Sequence, residues 1–264
     1  MLLGIETAHA KLKDYKIKYE VSVLSPENAD GELTAVLDAY RAYDGVILAG
    51  MSESKYSERI RALLSENKKV VQVQAMNPEV DCLFCSKHDE SVASGIAADF
   101  LFHCLSGRER KNLLLFTGNL SSAVHKNAHD AFLSHCDSLG MHLLRAVDMK
   151  DDEAYLERIL PSVFAESEGL IDGIYITSGL SLPLCRYLEG SGLSLPFVAF
   201  DTYEEIKEYM RRGVVSAAIS QNVVRQMQLA FERLVHHVIT GEECAPTVFT
   251  DVQLMLRSNM HQFD

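Results

Sequence analysis

Apolar and polar positions follow two alternating rhythms along the chain. Short apolar runs of strand length are separated by stretches with apolar residues at helical spacing, and the succession repeats. YDGVILAG at Tyr43–Gly50 is echoed 128 residues later by IDGIYITSG at Ile171–Gly179. Each is preceded by a helical pattern and followed, about 25 residues on, by a second apolar run: VVQVQ from Val70 and PFVAF from Pro196. Matching strand–helix–strand signals in both halves predict two similar α/β lobes built from one chain. Two such lobes enclose a cleft, the usual place for a small ligand.

The pattern supplies a full series of elements. Leu2 to Leu12 is helical. IKYEVSVLS (Ile17–Ser25) alternates like a strand. A helix over Gly31–Tyr43 leads to strand GVILAG, and a helix over Ser52–Asn67 leads to VVQVQ, ended by Asn77-Pro78. A short strand near Leu83–Cys85 precedes Asp89, which N-caps a helix reaching about Leu105. The polar break GRERKN (Gly107–Asn112) reads as a lobe crossover. Beyond it come strand Leu113–Phe116, helix Ser122–Leu139, strand HLLRAVDM, helix Glu153–Glu166 and strand GIYIT. Helix Pro183–Glu189, strand PFVAF, helix Glu204–Arg212, strand VSAAIS, helix Val223–Thr240 and strand TVFTDVQLML complete the set. Strands alternating with helices throughout predict mainly parallel sheets flanked by helices. The fold class is therefore α/β, with two doubly wound parallel-sheet lobes joined by short hinges.

Composition narrows the function. The chain has 264 residues, is 47% hydrophobic and 23% charged, and has a net charge of −12. That charge argues against direct nucleic-acid contact, which needs a basic face. No apolar run reaches the roughly 18–20 residues of a membrane span, and MLLGIETAHAKLKDYK turns charged too early for a signal peptide. Six cysteines, several inside apolar runs such as DCLFC and LPLCRYL, fit a reduced, cytoplasmic protein.

At IDGIYITSG, VAFDTYEEIKEYMRRGVVSAAISQN and TDVQLMLRSNM the chain resembles the effector-binding domain of LacI-family transcription regulators, itself similar to type I periplasmic sugar-binding proteins. The likeness covers nearly the whole chain. It implies crossovers near Gly107–Lys111, near Gln221–Asn222 and after Gly241. The first lobe then holds 1–107 with the helix 223–242, and the second holds 108–221 with 243–264. The helix-turn-helix DNA-binding domain of the family is absent from these residues. The family's first strand would precede LLGIETAHAKL, yet Met1 already falls within the first helix.

The resemblance implies ligand contacts at the carboxyl ends of strands, which open α/β sheets favour in general. Asp201 would accept hydrogen bonds from ligand hydroxyls, Gln221 would both donate and accept, and Ser178 would offer a small hydroxyl. The plainer readings are a helix N-cap for Asp201 and a Ser-Gly turn for Ser178. Asn119 and Asp89 are further candidates that turns and caps explain nearly as well. The arginine expected in the helix after GNLSS is Ala128 here, so His125 or Lys126 would have to substitute. There is no tryptophan to stack on a sugar face, and Met51 and Met76 would line the pocket instead. A less polar or unusual ligand follows.

Other signals carry less. His125 and His129 share a helix face, but HKNAH lacks the glutamate of a zincin. Cys82 and Cys85 form CxxC without a second pair. GNLSS is not a P-loop, and no nucleophile or acid–base set emerges, so neither enzyme, metal nor cofactor is expected. The leading expectation is the ligand-sensing domain of a LacI-type transcription regulator. It binds a sugar or related metabolite in the interlobe cleft and couples it to lobe closure and to the geometry of a homodimer, with Tyr56–Leu64 in the interface. DNA would be reached only through a domain outside this chain, and no membrane is involved. The alternatives are a solute-binding protein of a transporter, or the sensor module of a larger signalling protein.

Overall fold

The computed structural model describes residues 1–24, 29–40 and 42–263. The chain runs through α1 (Leu2–Lys11), α2 (Ala29–Tyr40), β1 (Gly45–Ala49), α3 (Ser57–Ser65), β2 (Lys69–Val73) and β3 (Phe84–His88). Next come α4 (Glu90–Cys104), β4 (Asn112–Thr117), α5 (Ala123–Ser138), β5 (His142–Asp148), α6 (Glu153–Glu166) and β6 (Gly173–Ile176). They are followed by α7 (Ser181–Ser191), β7 (Phe197–Phe200), α8 (Glu204–Arg211) and β8 (Ala217–Ser220). The chain closes with α9 (Val223–Thr240), β9 (Thr247–Thr250) and β10 (Gln253–Met255). It divides into two units, Met1–His88 with Asn222–Asp251 and Asp89–Gln221 with Val252–Asp264. Each is α/β with a parallel sheet, as the alternating pattern predicts.

Unit 1 has four strands in the order β1-β2-β3-β9, all parallel. Successive strand residues point to opposite faces, so each face gathers its own core. Val71, Val73 and Phe84 pack with Ile5 and Ala8 of α1 and with Ala230, Phe231 and Leu234 of α9. Val46, Leu48 and Val70 pack on the other face with Leu33 of α2 and with Ile60 and Leu63 of α3.

The strand expected over Ile17–Ser25 does not form within the described residues 16–24, and Ser25 lies outside them. The alternation is real. Ile17 joins the α1–α9 core and Tyr19 packs edge-on against Phe231, while Ser22 accepts from the Tyr40 hydroxyl at 2.8 Å and Leu24 packs on the α2 side. What is missing is a ladder: among the described residues β1 ends the sheet, and no strand bonds to its outer edge. Alternation alone does not make a strand without a neighbour.

Unit 2 has six strands in the order β10-β8-β7-β6-β4-β5, parallel except for β10. Strands β6, β7 and β8 are buried on every residue, as expected where helices cover both faces. Phe116, Phe132, Tyr175 and Phe197 are its largest fully buried side chains.

Two boundaries differ from the sequence expectation. The first unit ends at His88 rather than at residue 107, because α4 packs along α5 and Ser94 Oγ donates to the Ala128 carbonyl at 2.9 Å. GRERKN is therefore a loop inside unit 2, between α4 and β4. The terminal run TVFTDVQLML is two strands, not one: β9 pairs with β3 in unit 1 and β10 pairs antiparallel with β8 in unit 2. Residues 243–251 thus go with the first unit, not the second.

Candidate functional site

In unit 2 the chain leaves β4 and runs to the neighbouring β5, then returns across β4 to β6, so the strand order reverses between β4 and β6. Such a switch point opens a crevice outside the carboxyl ends of the strands. Asn119 follows β4, Ser178 follows β6, Asp201 follows β7 and Gln221 follows β8. Adjacent strands lie about 4.8 Å apart, so these four positions extend over roughly 15 Å of one edge.

Asp201 is the most constrained of them. Its φ is +68°, a left-handed conformation that costs a residue with a Cβ, although Asp tolerates it better than most. Its backbone N–H donates to the Ile219 carbonyl at 2.9 Å, and Gln221 Nε2 donates to its Oδ1 at 2.8 Å. A Cβ added at Gly179 would stand 3.2 Å from its Oδ2. Burial pushes the Asp201 carboxyl above its ordinary range, and the Gln221 hydrogen bond opposes the rise. Asp201 caps no helix, since the N-cap of α8 is Tyr203. Tyr203 instead donates its hydroxyl to the Gly179 carbonyl at 2.7 Å and is held protonated by burial and by the charge of Asp201.

The remaining candidates have local roles. Ser178 Oγ is 3.5 Å from the Leu180 N–H, a loose turn contact, and the residue is buried. Asn119 Oδ1 accepts from the N–H and hydroxyl of Ser121 at 3.0 and 2.8 Å, closing an Asx turn. Asp89 N-caps α4, accepting from Ser91 and Val92. Lys126 Nζ donates to Asp130 Oδ2 at 2.8 Å, one helical turn along. In unit 1, Met51 follows β1 and packs against the α2–α3 core, and Met76 follows β2 with its side chain exposed.

His125 sits in a cluster that the sequence reading did not complete. Its Nε2 lies 3.4 Å from Asp151 Oδ1, and Asp151 Oδ2 accepts from the Asn119 N–H at 3.1 Å. Lys150 and Asp151 are both left-handed, which turns the chain sharply after β5 and brings the carboxylate to the end of β4. Gly118 admits nothing larger, since a Cβ there would fall 2.4 Å from both the Asp151 carboxylate and the His125 ring. The DD pair after a strand was visible in the sequence; the backbone turn that aims it was not.

A profile of the periplasmic binding protein domain matches residues 4–243. The chain belongs to the periplasmic binding protein domain family. Solved structures of the same fold include a sugar ABC transporter's sugar-binding protein from Bacillus halodurans, with TM-score 0.85, 15% identity, and 100% of this chain and 94% of that one covered. An arabinose-binding protein from Geobacillus stearothermophilus gives TM-score 0.85 and 16% identity, with coverage of 100% and 93%. A protein provisionally named a LacI transcriptional regulator, from Bacteroides fragilis, gives 0.80 and 17%, with coverage of 99% and 92%. Among curated proteins none matches the chain in sequence. At these identities the structures show the fold alone, so the family is established more broadly than the LacI resemblance implied.

In this periplasmic binding protein domain no group of three His, Cys, Asp or Glu side chains among the described residues is placed to hold a metal ion. Among those residues no helix is long and apolar enough to cross a membrane.

Proposed function

We propose that this chain binds a sugar or a similar polyhydroxylated metabolite at the carboxyl edge of its sheets, without turning it over, as the ligand-sensing domain of a LacI-type transcription regulator. The observation that supports it best is the Asp201–Gln221 pair: a half-buried carboxylate held in a strained backbone, with a buried amide beside it, at the end of two adjacent strands. A charged acceptor with an adjacent donor and acceptor suits the alternating hydroxyls of a sugar. In this reading the ligand shifts a balance between two arrangements of the units, and it does so only by its differential affinity for them, typically about 1–3 kcal/mol. A two-fold homodimer would transmit the shift to DNA-binding heads outside this chain.

None of the six cysteines is in a disulfide, which favours a reducing, cytoplasmic setting. A second reading, the solute-binding protein of a transporter, is favoured by the sugar-binding transport proteins among its structural neighbours. Calorimetric titration against a panel of pentoses and hexoses tests the shared core of both readings. Saturable binding that is lost in Asp201→Ala is expected, and absence of binding across the panel would remove it. Cell fractionation then separates them: recovery in the cytoplasm is expected for the regulator, and recovery outside it would select the transport protein.

A further inference from the structure

The last turns of α9 and the connection from it to β9 form a cleft of about 320 Å³, lined by Glu232, Arg233, His236, Glu242, Glu243 and Cys244. All six residues belong to unit 1, and the cleft lies by the amino end of β9, at the opposite end of that sheet from Met51 and Met76. The connection is held in one shape. Gly241 is left-handed at φ +72° and donates its N–H to the His237 carbonyl at 2.8 Å. The Glu242 N–H donates to Thr240 Oγ1 at 3.1 Å, and His237 Nδ1 donates to the Glu242 carbonyl at 2.7 Å. Glu232 is engaged by Lys11 at 3.0 Å and by the Gln228 amide at 2.8 Å, and His236 faces Glu242 at 2.8 Å. Among the described residues the Arg233 guanidinium and the Glu243 carboxylate form no ion pair or hydrogen bond. Cys244 is half-buried against the core under α9 and supplies the apolar surface. Burial pushes its thiol up and the charge of Arg233 opposes the rise, so that charge is felt inside the cleft.

We propose that this cleft is a second binding site, for a free α-amino acid with a small apolar side chain, its carboxylate on Arg233, its ammonium on Glu243 and its side chain against Cys244. One unengaged cation and one unengaged anion in the same cleft match a ligand that carries both signs. A plain anion would meet three glutamates, and a plain cation would leave Arg233 unused. The planar guanidinium presents two parallel donors to a carboxylate. The ammonium, beside Glu243 just beyond Gly241, also meets the negative end of the α9 dipole. Ligand sites span about 300–1,000 Å³, and this one is at the small end, which suits alanine, valine or leucine better than a bulky ring. Both anchoring charges are exposed, and exposed ion pairs are weak, so the dissociation constant should be about 1 mM. The site stands apart from the sugar reading and does not depend on it.

The test uses Cys244 as a reporter: its labelling by a thiol reagent is followed by peptide mapping of the full chain, with and without about 10 mM L-alanine, L-valine or L-leucine. The expected result is labelling slowed at least fivefold by one or more of the three, saturating with concentration, while Cys104 reacts at an unchanged rate. The N-acetyl form of the protecting amino acid lacks the ammonium and its methyl ester lacks the carboxylate, so each should protect less than twofold. Arg233→Gln and Glu243→Gln, both at exposed positions, should each abolish protection, and Asp201→Ala should leave it intact. No protection by any of the three amino acids would overturn the site. Equal protection by the ester or the N-acetyl form would overturn the two-charge recognition. Protection that survives in both Arg233→Gln and Glu243→Gln would overturn the assignment to this pair. Protection lost in Asp201→Ala would move the amino acid to the strand ends of unit 2 and overturn a second site.

Discussion

Gln221 Nε2 donates to Asp201 Oδ1 at 2.8 Å, tying together the ends of the adjacent strands β8 and β7. The bond holds an acid whose charge the surroundings do not welcome. That tension makes the pair the most informative place to perturb the molecule.

Asp201 sits above the ordinary carboxyl range because it is buried. The native state therefore holds this proton to a higher pH than the unfolded chain does. Its contribution is complete below the unfolded value of about 4 and is lost as pH rises through the folded one. Asp201→Asn keeps a residue type that tolerates the left-handed backbone and removes the charge. It should be more stable than the parent at pH 7, with the difference vanishing below about pH 4. Urea unfolding across a pH series measures this. The same variant should bind its sugar at least tenfold more weakly, a trade of function for stability.

Gly179 is exposed and its backbone is ordinary, yet a methyl group there would press on Asp201 Oδ2 at 3.2 Å. Gly179→Ala should leave the melting temperature within about 2 °C while lowering ligand affinity roughly tenfold, through the displaced carboxylate. Thermal unfolding and titration of one preparation separate the two effects.

Helix α1 lies close on α9 at Gly4, where a Cβ would meet the Val224 carbonyl oxygen at 2.2 Å. A backbone atom cannot rotate aside as a side chain would. Gly4→Ala should therefore cost about 2–3 kcal/mol by forcing the helices apart, despite the better helix propensity of alanine. The loss should appear in amide exchange of unit 1, with α5 and β4 of unit 2 keeping their protection.

The thiols differ sharply in setting. Burial pushes Cys82 up to about 11 and Cys136 and Cys185 up to about 12, while Cys104 is exposed. At pH 8 a thiol reagent should find one fast site per chain, removed in Cys104→Ser. Slower reaction is expected at Cys82 and Cys244, and none at Cys85, Cys136 or Cys185 before unfolding.

Much of this architecture could be read from the chain because its causes are local. GIYIT and PFVAF are apolar on every residue, and only strands covered on both faces need that. Asp89 precedes an apolar helical run and does cap it. The misreadings share a different origin. Residues 17–24 have a strand's alternation but no strand to pair with among the described residues, and α4 joins the second unit through contacts with α5 more than 30 residues away. TVFTDVQLML looks continuous because sequence does not show that its halves pair with β3 and β8. At the candidate site, Asp201 and Gln221 were found through the family likeness. Asp151 was not, because two left-handed residues and a glycine place it.

Among the described residues β1 is the last strand on its side of the unit 1 sheet. A terminal strand offers main-chain amides and carbonyls along one side, and an extended segment pairs there by lateral addition.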